Sequence, residues 1–167
     1  MTTERDAATR LLDLCRDQGL MIVTAESCTG GLVAGALTAI AGSSAVVDRG
    51  FVTYSNEAKA EALGVPMALI EAHGAVSEPV ARAMADGALA HSRADVAVAV
   101  TGIAGPGGGG VDKPVGLVHF AAARRGHPSI ARRHVFAGDR DAVREQAVAT
   151  ALVLLTEIAG QRPDRRA

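Results

Sequence analysis

DVAVAVTGIAGPGGGG, residues 95–110, decides the fold: an apolar run of β-branched and small residues passes directly into a loop that holds six glycines. Such a run reads as a strand, and the loop after it stands where ligands gather in open α/β sheets. Toward the N-terminus, helical and extended patterns alternate. Residues 4–18 have helical periodicity that stops at Gly19, and residues 20–24 form a short buried strand. A second helix is predicted over residues 29–40, followed by a Gly/Ser turn. An extended segment containing Val46, Val47, Phe51 and Val52 then ends at Tyr54. Residues 57–63 form a helix stopped by Gly64, Pro66 opens a short helix to His73, and Ser77, Glu78 and Pro79 suit the cap and first turn of a helix ending near His91. Toward the C-terminus, residues 115–123 and 129–136 pair as a hairpin across 124–128, and a last helix covers 139–159. The expected architecture is a single-domain three-layer α/β/α sandwich with a mixed sheet, spanning residues 1–160, with a disordered tail at 161–167.

Composition narrows the function. A chain of 167 residues can bury a real core, and with three Phe, one Tyr and no Trp that core must be Val, Leu, Ile and Ala. A net charge of −1 gives no electrostatic reason to expect nucleic acid or a membrane surface as partner, and platforms for stacking bases are nearly absent. Cys15 and Cys28 are too few for a disulfide framework, and no Cys/His spacing resembles a zinc site. Neither a metal nor a cofactor is expected. The N-terminus alternates charged and apolar residues, unlike a signal peptide, and no apolar stretch approaches a membrane span, so a cytoplasmic setting is expected. The amphipathic first and last helices suggest a homo-oligomer.

The basic residues single out two positions. Of seventeen Lys and Arg, only Lys59 and Lys113 are lysine. Where any positive charge would serve, this chain uses Arg; a retained ammonium can be driven neutral and act as a base, which a guanidinium cannot. Lys59 lies in VTYSNEAK, in the first turn of a helix capped by Ser55 or Asn56, where the positive end of the helix dipole disfavours a cation. It also reads as a solvated surface lysine. TAESCTGG, residues 24–31, sits at a strand-to-helix junction. There Ser27 is a candidate nucleophile and the amides of Thr29, Gly30 and Gly31 a candidate oxyanion hole. Ser27 or Thr29 equally suits a plain helix cap, and Cys28 is a second candidate nucleophile. The loop after Thr101, with Gly102 and Gly105, allows close backbone approach to a phosphate or a planar amide; it has neither a P-loop ending nor a GxGxxG helix start. FAGDR, residues 136–140, opens the last helix, and Arg140 or Arg144 beside that N-terminus suits a phosphate.

TAESCTGG, GSS, GFVTYSNEAK, GAVSEPVA, AVTGIAGPGGGG, KPVG and GDR occur in this order from Thr24 to Arg140. This series resembles the C-terminal domain family of the competence/damage-inducible protein CinA. The resemblance implies a nicotinamide-nucleotide amidase that converts nicotinamide mononucleotide to nicotinic acid mononucleotide and ammonia in pyridine-nucleotide salvage. It further implies a serine/lysine hydrolase with Ser27 as nucleophile, Lys59 as base, and Tyr54, Thr101 and Arg140 in support. Tyr54 would orient Lys59 or pass its proton, and Thr101 would bond Ser27 or the carboxamide. GPGGGG departs from the family pattern, in which a polar residue follows Gly-Pro. The competing expectation is a nucleotide-binding or regulatory module that uses the same loops without catalysis.

Overall fold

The computed structural model describes residues 2–162; the predicted tail over 163–167 lies outside the described residues. Helix α1 (Glu4–Gln18) starts in a reciprocal capping box between Thr3 and Asp6 and ends at Gly19 in the left-handed conformation. It leads into β1 (Ile22–Glu26), which is buried throughout. Helix α2 (Leu32–Thr38) and a single 3-10 turn (Ser43–Ala45) connect to β2 (Val47–Val52). Then come α3 (Asn56–Leu63), α4 (Met67–His73) and α5 (Glu78–Ala90). The chain closes with β3 (Val96–Gly102), the hairpin of β4 (Leu117–Arg124) and β5 (Ile130–Val135), and α6 (Arg140–Ala159).

The five strands lie in the order β2-β1-β3-β4-β5. β1 runs parallel to β2 and to β3, whereas β3–β4 and β4–β5 are antiparallel. Alternation along β3 sends Val96, Val98 and Val100 to one face, where α1, α2 and α6 bring Leu11, Val33 and Leu155. Ala97 and Ala99 face the other side, against Ala81, Met84 and Ala85 of α5. The result is one mixed sheet between two helical layers, as the sequence predicts.

The connections place the site. From β1 the chain crosses to β2 through α2 on one face, then returns past β1 to β3 through α5 on the other. The helices that follow the adjacent strands β1 and β2 therefore lie on opposite faces, while β3 passes into the Gly-rich loop, and a crevice opens at the carboxyl ends of these strands. Two predicted boundaries shift for backbone reasons. α2 starts at Leu32 instead of residue 29, because Gly30 and Gly31 take φ of 57° and 105° and hold residues 27–31 out of the helix. β2 ends at Val52, so Tyr54 belongs to the turn before α3.

Candidate active site

Ser27 follows the last residue of β1, and its backbone is fixed on both sides. Its amide donates to Val100 O at 2.9 Å, and its carbonyl accepts from Gly30 N at 3.0 Å. The start of α2 is capped by neither Ser27 nor Thr29. The fully buried carboxylate of Glu26 takes the amides of Val33 at 2.8 Å and Ala34 at 3.1 Å. An anion at a helix N-terminus is favoured by the dipole and by the unpaired amides, so Glu26 performs the capping and Ser27 keeps its hydroxyl free. The Thr29 hydroxyl is buried and unpaired among the described residues. Sequence reasoning missed Glu26, whose only signal is an acid standing inside an otherwise apolar strand.

Lys59 is 1 % exposed. Ser55 caps its helix by accepting from Ala58 N at 3.0 Å, and the first turn of α3 then directs the Lys59 side chain inward to Ser27. Lys59 Nζ lies 3.1 Å from Ser27 Oγ, 2.8 Å from Thr53 O and 3.3 Å from Tyr54 O. Burial holds the amine below the usual lysine range, and the nearby Cys28 thiol opposes this more weakly. The lowering expected from the helix dipole has burial as its leading cause in the structure. The arrangement of partners matters as much. Two of the three are carbonyls, which only accept, so they take two amine N–H groups and leave the third direction to Ser27. In a neutral amine that direction is the lone pair, aimed at the serine hydroxyl.

These two side chains open onto a cleft of about 220 Å³ that is also lined by Tyr54, Thr101, Gly102 and Arg140. The Thr101 hydroxyl donates to Ala75 O at 2.9 Å, which commits its proton and leaves its lone pairs as acceptors. Tyr54 is 62 % exposed, and its hydroxyl accepts from Arg140 Nη2 at 3.2 Å. Only its backbone carbonyl reaches Lys59, so the phenol stands apart from the amine it was expected to orient. Arg140 Nη1 donates to Gly105 O at 2.9 Å. Gly105 thus acts behind the cleft wall, and its φ of 85° places a would-be Cβ 2.5 Å from Val115 Cγ1. Gly102 lines the cleft where a Cβ would fall 2.9 Å from Leu117 O.

The two candidate arginines for an anion differ in their partners. Arg144 is spent on the nucleophile loop, donating to Cys28 O at 3.1 Å and Thr29 O at 3.4 Å. Arg140 faces the cleft. At the α6 N-terminus the Asp139 carboxylate accepts from Ala142 N at 2.9 Å, so one of the amides expected to face an anion is already taken. Thr29, Gly30 and Gly31 lie behind the lining, and the Gly30 amide is committed to Ser27 O. Cys28 lines the cleft, yet burial pushes its thiol up to about 11, so it is not a ready thiolate.

Residues 4–159 match the model of the CinA C-terminal domain. The chain is 59 % identical over 138 residues to the nicotinamide-nucleotide amidohydrolase PncC of Escherichia coli, covering 83 % of this chain and 84 % of that protein. It is 56 % identical over 150 residues to a putative competence-damage inducible protein of Symbiobacterium thermophilum, covering 85 % of this chain and 35 % of the other. Among solved structures, the competence/damage inducible protein CihA from Agrobacterium tumefaciens superposes with a TM-score of 0.92 at 52 % identity, over 95 % of this chain and 96 % of that one. The family match over residues 4–159 and the identity along most of the chain show that the chain belongs to the CinA C-terminal domain family.

Proposed function

We propose that this chain is a nicotinamide-nucleotide amidohydrolase that converts nicotinamide mononucleotide to nicotinic acid mononucleotide and ammonia by a Ser27/Lys59 mechanism. The observation that carries the reading is the buried amine of Lys59 at 3.1 Å from Ser27 Oγ, with its other two directions taken by carbonyls. The name of the E. coli relative supports the substrate.

Amides are poor electrophiles, so the nucleophile must lose its proton as it attacks. Ser27 Oγ bonds to the carboxamide carbon while its proton passes to Lys59 Nζ, and the carbonyl π electrons move onto oxygen. The Cys28 amide, next to the nucleophile on the cleft lining, is the donor assigned to that oxyanion. Lys59 then gives the proton to the departing nitrogen as the C–N bond breaks, releasing ammonia and leaving an ester on Ser27. Water repeats the sequence: Lys59 takes its proton, the hydroxide adds to the ester, and the proton returns to Ser27 Oγ as the carboxylate leaves. Thr101, its proton held by Ala75 O, accepts an N–H of the carboxamide. Arg140 spends two of its five N–H groups on Gly105 O and Tyr54 Oη and keeps the rest for the phosphate. That contact supplies binding energy away from the reacting carbon.

Ammonia release from nicotinamide mononucleotide tests the reading. The expected result is turnover by the wild type and a loss of about a thousandfold or more in kcat for Ser27→Ala and Lys59→Arg, with the fold retained. A folded wild type that binds the nucleotide and releases no ammonia would favour a non-catalytic binding module.

A further inference from the structure

Lys113, the second of the chain's two lysines, has no part in the relay described above. Its Nζ donates to His73 O at 2.6 Å, across forty positions of sequence. His73 ends α4, where backbone carbonyls lack helical donors and the dipole favours a cation. Gly74 follows with φ of 78°, and a Cβ there would stand 2.5 Å from Lys113 Nζ, so the ammonium needs bare backbone beneath it. Ala75 and Val76, the next two residues, are a wall of the cleft. Ser77 Oγ donates to Gly74 O at 2.8 Å and Thr101 Oγ1 to Ala75 O, so three side chains, two of them from distant parts of the chain, hold this short segment by its carbonyls.

The other side of Lys113 is the Gly-rich loop. Gly110 N donates to Lys113 O at 2.8 Å and closes that loop at its base. Val115, two residues on, lies against Gly105, whose carbonyl orients Arg140. A loop rich in glycine carries few side chains to fasten it, and ordering each free residue costs roughly 1–2 kcal/mol of backbone entropy. One ammonium therefore ties the wall at residues 74–76 to the loop that sets Arg140.

We propose that Lys113 is a positioning residue that latches the Gly-rich loop to the opposite cleft wall and thereby sets affinity for the mononucleotide, without joining the proton relay. This rests on the proposed amidohydrolase reading. A compact ammonium fits over Gly74 where a planar guanidinium fits less closely, which accounts for a lysine here in a chain that otherwise uses Arg.

The test combines steady-state kinetics on nicotinamide mononucleotide with amide hydrogen exchange across residues 74–77, for wild type, Lys113→Met, Lys113→Arg and Gly74→Ala. The expected result is a KM raised about tenfold in Lys113→Met with kcat within about twofold, an unchanged unfolding midpoint, and faster exchange at 74–77. Lys113→Arg recovers part of the KM, and Gly74→Ala, which displaces Nζ and also strains a positive φ, raises the KM together with a lower unfolding midpoint. Unchanged KM and exchange in Lys113→Met would overturn the proposal, as would kcat, KM and the unfolding midpoint worsening together in that variant. If the wild type releases no ammonia, the amidohydrolase reading fails, and exchange at 74–77 alone still decides whether the latch exists.

Discussion

At Ser27 and Lys59 the proposed relay turns on which atom holds which proton. An ammonium would donate to all three of its neighbours and leave Ser27 without a base, whereas the neutral amine donates twice and accepts once. Because burial lowers the pKa of Lys59 from its ordinary 10.5, the neutral fraction grows as pH rises through the lowered value, and kcat/KM should rise with it. A pH profile with no ascending limb, or one that falls where the amine becomes neutral, contradicts Lys59 as base. The same shift carries a stability cost: the folded state binds its proton less tightly than the unfolded chain, so the cost is full below the folded pKa, where both states hold the proton, and fades as pH rises from there to 10.5, where only the unfolded amine holds it. Cys15 and Cys28 go the other way, with burial pushing both thiols up to about 11. The native protein should therefore leave both unreacted with a disulfide reagent near neutral pH, and the denatured chain should titrate both; rapid native labelling of Cys28 would contradict its placement.

At the scale of the element, Glu26 joins β1 to α2 by capping the helix from inside the sheet. Glu26→Ala removes two charge-assisted bonds and leaves two amides unpaired, an expected loss of roughly 2–4 kcal/mol that urea unfolding would measure. Activity should fall with it, since the same turn fixes Ser27; an unchanged midpoint contradicts the cap. The element scale also shows what the sequence made legible. Ser55, Ser77 and Asp139 precede their helices directly, so local capping chemistry locates α3, α5 and α6. Glu26 caps from six residues before Leu32, through a turn that local patterns do not describe. Arg140 and Arg144, four apart on one helix, share a face and differ only in what the fold sets opposite them: the cleft for one, the nucleophile loop for the other. Tyr54 was found by its place beside Lys59, but only tertiary structure shows its hydroxyl turned to Arg140.

At the scale of the whole molecule, one sheet with crossovers on opposite faces gathers Ser27, Lys59, Thr101 and Arg140 from four separate segments. Among the described residues, no helix is long and apolar enough to cross a membrane. The crossover geometry is shared with solved relatives over nearly the full chain, so the crevice is a property of the fold and the side chains lining it supply the chemistry. The central claim is that Ser27 forms a covalent ester with the nucleotide, and the most direct measurement is acid quench during turnover of nicotinamide mononucleotide, followed by peptide mass spectrometry. The expected result is the acyl mononucleotide on the peptide containing Ser27, absent from Ser27→Ala. Steady ammonia release with no adduct on Ser27, and with Ser27→Ala as fast as the wild type, would contradict it.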